Sequence, residues 1–213
     1  MSILKRSWWS KKTFEIEFTR PPEFSFTPGQ RIRFIYGPYE RDYSLVSGAD
    51  DSTLRICVRK VENGIFSPVL ASVEEGHTFE FTGPHGYFTF HVTPRPPVFA
   101  ATGTGIAPFV SMVKSGVSDF ILLHGVSLLQ DLYYEDLFRS TAKLYIPCVS
   151  KASGHTAVPQ NFFNGRVTGY LRNHLNHGVY DFYLCGKSEM IRDATLLVDD
   201  RFPSSRVHTE TFY

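Results

Sequence analysis

A chain of 213 residues is long for one average domain and comfortable for two small ones. With 42% hydrophobic and 20% charged residues it can bury an ordinary core, and a net charge of +1 argues against nucleic acid as a main partner, which usually demands a strongly basic domain. The three cysteines, Cys57, Cys148 and Cys185, are far apart with no C-x-x-C pair, too few for an iron–sulfur cluster and too sparse for a disulfide framework.

Lys5 and Arg6 are followed by no apolar run, so no signal peptide is read there. No stretch approaches the roughly 20 apolar residues of a membrane span, and the expectation is a cytoplasmic protein. Residues 13–19 alternate Phe14, Ile16 and Phe18 against polar neighbours, the period of a strand. Further short strands are expected over 30–36, 43–47, 54–61, 78–82 and 87–90, separated by turn signals such as Pro28-Gly29, Gly37-Pro38 and Gly83-Pro84. One helix, 67–73, interrupts them. Many short strands at this spacing predict a small antiparallel β-barrel.

The pattern changes after Pro94-Arg-Pro-Pro97, the expected hinge between two domains, 1–94 and 97–213. Strand 98–101 runs into the glycine turn Thr102, Gly103, Thr104, Gly105 and a helix from Ile106 to about Lys114. Pro108 falls in its first turn, where a missing N–H costs nothing. Strand 120–124, helix 131–140, strand 144–149, helix 166–174, strand 180–184, helix 188–198 and a strand near 206–209 complete the set. This alternation predicts an α/β domain with a parallel sheet covered on both faces.

Five short stretches have residue types suited to a ligand. Arg41-Asp-Tyr-Ser44 offers a permanently charged fork, a flat ring and a small hydroxyl, although a surface Arg beside a half-buried strand Tyr reads the same way. Gly64-Ile65-Phe66-Ser67-Pro68 reads as a turn, a hydroxyl N-cap and a helix start, either an anion site or an ordinary cap. The Gly103–Gly105 turn and Cys185-Gly186 both close strands on one edge of the expected parallel sheet, where such sheets bind ligands. Its glycine frees room near the backbone, though a buried structural Cys is the commoner fate of a residue like Cys185. The terminal Phe212 and Tyr213 are either a core plug or a flat cover over a planar ligand, and most of the 19 Phe and 11 Tyr are accounted for by packing.

Taken in this order, the stretches resemble the ferredoxin–NADP reductase superfamily. Its R-x-Y-S pattern appears as Arg41–Ser44, G-x-x-S as Gly64–Ser67, G-T-G-I-A-P as Gly103–Pro108 and C-G as Cys185-Gly186, with Glu210 and Phe212 matching the acidic-aromatic end. The resemblance implies a barrel that holds FAD and a second domain that holds a nicotinamide dinucleotide. Carried over by position, Arg41 and the start of the Gly64, Ile65, Phe66, Ser67 helix would hold the FAD pyrophosphate. Tyr43 would lie on the isoalloxazine, Ser44 near flavin N5, and Cys57, Val58 and Arg59 would border the flavin. Thr102, Gly103, Thr104, Gly105 and Ile106 would cradle the dinucleotide pyrophosphate, and Cys185, Gly186 and Glu210 would border the nicotinamide. Phe212 or Tyr213 would cover the flavin.

NADP is expected over NAD, because Ser150 and Lys151 stand where NADP-using relatives place Ser-Arg. Ser127 and Leu128, however, stand where some relatives place an Arg. No metal is implied. Ferredoxin or flavodoxin is the implied electron partner, steered by Lys5, Arg6, Lys11 and Lys12. A flavin reductase, or an electron-transfer subunit using Trp8 and Trp9 on a partner-binding arm, are the other readings. The sequence carries no signal on oligomeric state.

Overall fold

Strict alternation at 13–19 puts Phe14, Ile16 and Phe18 on one side of strand β2 (Thr13–Thr19), all fully buried. β2 is the centre of an antiparallel sheet ordered β1-β2-β5, flanked by β1 (Ile3–Trp8) and β5 (Thr53–Arg59). A second antiparallel sheet is ordered β4-β3-β6, from β3 (Arg31–Tyr36), β4 (Tyr39–Ser44) and β6 (Glu80–His85). Helix α1 (Ser67–Ser72) adds Leu70 to the interior that both sheets share with Ile32, Phe34, Leu54, Ile56 and Phe66. Each such side chain contributes roughly 1.5–3 kcal/mol of transfer free energy, which is what holds two three-stranded sheets together. The computed structural model describes residues 1–151 and 162–212. These strands lie in the first of two units, residues 1–90 with 107–116; the second comprises 91–106 with 117–213.

The first unit departs from the expected strands at three places. β1 was not foreseen, because only Ile3 of its side chains is buried and the strand shows no alternation. β4 begins at Tyr39 rather than 43, since Gly37-Pro38 closes a two-residue turn that pairs Tyr36 directly with Tyr39. Residues 87–90 form no strand. The N-terminal cations also divide. Arg6 donates from Nε to the Leu70 carbonyl at 3.1 Å and from Nη2 to the Val73 carbonyl, capping the end of α1. Lys12 pairs with Glu62 at 2.9 Å. The helix after the glycine turn, α2 (Ala107–Lys114), packs in this unit, where Ser111 Oγ donates to the Ser47 carbonyl at 2.6 Å.

The second unit is a six-stranded parallel sheet. In chain order its elements are β7 (Pro97–Thr102), β8 (Ile121–Val126), α3 (Glu135–Thr141), β9 (Leu144–Val149), β10 (Phe163–Asn164), α4 (Val167–Asn173), β11 (Asp181–Lys187), α5 (Ser188–Arg201) and β12 (Arg206–Phe212). The sheet order is β10-β9-β8-β7-β11-β12. One face packs Val98, Leu123 and Leu184 against Leu171 of α4 and Leu197 of α5. Elsewhere Phe99 stacks on Phe120 at 4.7 Å, and Phe120 meets Phe138 of α3 edge-on.

The helix expected over 131–140 is shorter. A 3-10 turn, Leu129–Asp131, comes first, and Tyr134 at φ 58° interrupts the spiral before α3. β10, two residues long, has no period to detect. The antiparallel sheets followed by a parallel one bear out the two-part fold class. No helix among the described residues is long and apolar enough to cross a membrane.

Candidate cofactor sites on the two units

Strand order in the second unit reverses at β7 and β11: the chain builds β8, β9 and β10 to one side of β7, then returns to add β11 and β12 on the other. Open parallel sheets bind ligands beyond the carboxyl ends of the strands at such a reversal. Both second-unit motifs lie there. The register pairs Ala101 with Cys185, so Thr102–Gly105 and Cys185-Gly186 leave neighbouring strands side by side.

The closeness depends on both glycines. A Cβ on Gly105 would stand 2.5 Å from the Cys185 carbonyl oxygen. One on Gly186, whose φ is +130°, would stand 2.2 Å from Thr102 Oγ1. That hydroxyl accepts the Lys187 N–H at 3.0 Å. The expectation that Gly186 frees space for a ligand is therefore corrected: Thr102 of the same chain takes the space. Gly103, at φ +55°, is the open position, because a Cβ there would meet nothing within 4 Å. Residues Gly103–Ile106 form a 3-10 turn, and the α-helix starts only at Ala107.

Register also pairs Cys185 with Glu210 across β11 and β12, both buried. Burial first, then the Glu210 charge, pushes the Cys185 thiol well up, so it is protonated at neutral pH and unsuited to act as a thiolate nucleophile. Phe212 pairs with Lys187 at the end of β12 and is half-buried. Tyr213 lies outside the described residues.

Ser150 and Lys151 follow β9, both exposed. Their N–H groups donate to the carbonyls of Val126 at 3.1 Å and Ser127 at 3.0 Å. Gly165 N–H donates to the Val149 carbonyl at 3.0 Å, bringing a second exposed cation, Arg166, to this strand end. The sequence reading missed Arg166 because it was read only as a helix start. It also missed His124 on β8, fully buried, with Nδ1 3.2 Å from Tyr145 Oη and Nε2 without a partner among the described residues. Burial pushes its pKa down to about 3. Nothing in a lone strand histidine announces that.

In the first unit the Arg41–Ser44 motif lies on β4, where alternation sends Arg41 and Tyr43 to one side and Asp42 to the other. Asp42 accepts from Arg33 at 2.6 and 3.0 Å and from Arg31 at 2.8 Å, and the Arg33 bonds lead in holding its carboxyl below the usual range. Arg41 itself donates to the Glu40 carbonyl at 2.7 Å and is exposed, and no carboxylate among the described residues pairs with it. Tyr43 packs its ring 5.7 Å from Phe34 and 6.1 Å from Phe66, and burial pushes its phenol up. Ser44 is buried.

The Phe66 contact brings the Gly64–Ser67 loop beside β4, with Ile65 exposed and Phe66 in the core. Ser67 is not the cap expected of it. It is the first helical residue, and its hydroxyl accepts the Val61 N–H at 3.0 Å, closing the loop on itself. On β5, Cys57 and Val58 are buried and Arg59 is exposed.

Residues 5–90 match the family model described as oxidoreductase FAD-binding domain, and residues 99–195 that described as oxidoreductase NAD-binding domain. The chain is 33% identical over 183 residues to the toluate 1,2-dioxygenase electron transfer component of Pseudomonas putida, covering 79% of this chain and 53% of that protein. It is 32% identical over 142 residues to ferredoxin–NADP reductase B of Sorangium cellulosum, covering 61% and 58%. With ferredoxin–NADP reductase A of that organism it is 28% identical over 229 residues, covering 94% and 82%. The chain thus spans 53% and 58% of the length of the first two.

Its fold is similar to a crystal structure of a ferredoxin NADP+ reductase from Neisseria gonorrhoeae with bound FAD and NADP, at a TM-score of 0.84, 23% identity, and 100% and 97% coverage. It is also similar to the Amycolatopsis cytochrome P450 reductase GcoB, at a TM-score of 0.83, 23% identity, and 99% and 68% coverage. Two domain models matched in series, on antiparallel sheets followed by a parallel sheet with its motifs at the reversal of strand order, establish that the chain belongs to the ferredoxin–NADP reductase superfamily.

Proposed function

We propose that the chain is a flavoprotein reductase that takes electrons from NADPH through FAD to a one-electron carrier of the ferredoxin or flavodoxin class. The observation that carries this reading is the interlock of Gly105 with Cys185 and of Gly186 with Thr102, which leaves Gly103 as the open turn at the reversal of strand order. The first unit fits FAD by its donor set: a fork-shaped cation that no carboxylate among the described residues pairs with, Arg41, two residues from a flat ring, Tyr43.

When bound, the two cofactors supply hydride transfer; the chain supplies placement and charge. Arg41 holds the flavin diphosphate, with the Gly64–Ser67 loop beside it. Tyr43 gives the isoalloxazine a flat wall, Ser44 sets a hydroxyl at its edge, and Cys57, Val58 and Arg59 border it. Thr102–Ile106 hold the nicotinamide dinucleotide pyrophosphate. Cys185, Gly186 and Glu210 border the nicotinamide, where a protonated Cys185 adds no competing nucleophile, and Phe212 or Tyr213 covers the flavin. Ser150 and Lys151 select the phosphate that distinguishes NADP from NAD.

The test is an absorption spectrum of the purified protein, followed by anaerobic titration with NADPH and, on fresh protein, NADH. A bound-flavin spectrum bleached preferentially by NADPH supports the reading. A protein that stays colourless and takes up no FAD overturns it. A second reading, the electron-transfer component of an oxygenase system, is favoured by the 33% identity to the toluate dioxygenase component. It predicts co-purification with a further chain and slow reduction of free carriers.

A further inference from the structure

Tyr39, Arg41 and Tyr43 occupy alternate positions of β4 and share one side of the strand. The register sets Tyr36, Phe34 and Ile32 of β3 opposite them. At the inner end Tyr43 packs with Phe34 and Phe66. At the outer end Tyr36 lies 5.4 Å from the same Phe66 ring, and the Arg41 guanidinium is 5.9 Å from the Tyr39 ring centroid. Along this edge the order is therefore flat ring, cation, flat rings, with steps of roughly 6.5–7 Å.

A flavin dinucleotide has the same order of parts: a tricyclic ring, a diphosphate and an adenosine. A cross-strand tyrosine pair that only holds a hairpin contributes roughly 0.2–1 kcal/mol through contact of its rings with each other and with neighbours. Tyr36 and Tyr39 stay 40% and 41% exposed, directly opposite each other across the two-residue turn. They lie at one end of an exposed cation, Arg41, that no described carboxylate matches.

We propose that Tyr36 and Tyr39, at the tip of the β3–β4 hairpin, form the platform on which the adenosine of FAD lies, so that this pair selects the dinucleotide flavin over the mononucleotide. The inference rests on the FAD reading given above. Tyr39 supplies the face beside Arg41, and Tyr36, braced by Phe66, supplies the second edge. FMN would meet Tyr43 and Arg41 but nothing at the hairpin tip.

Dissociation constants for FAD and FMN, read from quenching of flavin fluorescence, test this on the full chain, on Tyr39→Ala and on Tyr39→Phe. The wild-type chain should hold FAD at least tenfold more tightly than FMN. Tyr39→Ala should weaken FAD roughly fivefold to a hundredfold, the range for removing one aromatic–base stack, and leave FMN within about twofold. Tyr39→Phe should restore FAD. FMN binding by the alanine variant doubles as the check that its first unit is folded. Parallel loss of both flavins, an unchanged ratio, or a wild-type chain that holds both flavins equally would overturn the platform while leaving the flavin reading intact. A wild-type chain that binds neither flavin overturns the flavin reading, and the platform with it.

Discussion

Lowering the pH from 7.5 to 5 is expected to cost the second unit about 2 kcal/mol of stability through His124 alone. The imidazole is fully buried, burial pushes its pKa down to about 3, and among the described residues its hydrogen-bond partner is the Tyr145 hydroxyl, 3.2 Å from Nδ1. In the unfolded chain the same group titrates near 6.5. Between these values the unfolded chain binds a proton that the folded chain refuses, so folding loses ground as pH falls. The stabilisation is whole above about pH 6.5 and declines by about 1.4 kcal/mol per unit below it.

His124→Gln removes the titration and keeps a polar side chain within reach of Tyr145. Urea unfolding followed by far-UV circular dichroism, run on both proteins from pH 7.5 to 5, isolates the effect as a difference that other titrating groups leave alone. Wild type minus variant should be constant above pH 7 and fall by about 2 kcal/mol by pH 5. A difference that stays flat to pH 5 would refute the reasoning, since the imidazole would then take up its proton in the folded state.

Two further outcomes follow from the strand ends. Gly186→Ala forces a Cβ into φ +130° and 2.2 Å from Thr102 Oγ1, and should cost about 2–5 kcal/mol in urea unfolding. Adding Thr102→Ala should recover only part, because the Thr102 carbonyl is still 2.8 Å from that Cβ; a variant within experimental error of wild type would break the interlock argument. Lys151→Asp, at an exposed position after β9, should raise the NADH to NADPH ratio of kcat/KM about fivefold to tenfold at low ionic strength and less in salt. An unchanged ratio would count against Lys151 as the phosphate contact.

The sequence carried the architecture wherever a period was long enough to show. The alternation at 13–19 emerged residue for residue as β2, and the strand–helix rhythm after Pro97 as the parallel sheet. It was silent on β1, which pairs with β2 through its backbone and buries only Ile3, and on β10, two residues long. The site was legible as residue types and opaque as contacts. Gly186 reads as room for a ligand, and only the β7–β11 pairing discloses that Thr102 fills it. Ser67 before Pro68 reads as a cap, and only the closed Val61–Ser67 loop turns its hydroxyl inward. Arg6 and Lys12 read as free charge because their partners, the end of α1 and Glu62, lie 50 or more residues away.

The hydrogen bond from Lys187 to Thr102 spans 85 positions of the chain. A ribosome has therefore finished the glycine turn long before it makes the residues that give the turn its shape. Until β11 arrives, Gly105 has no carbonyl to lie against, and Thr102–Ile106 is a flexible stretch with a familiar spelling. Ordering it is a late, non-local event, of the kind that slows folding by the entropy of closing so long a loop. A fragment ending before β11 would retain every letter of G-T-G-I-A-P and lack the surface those letters are taken to signify.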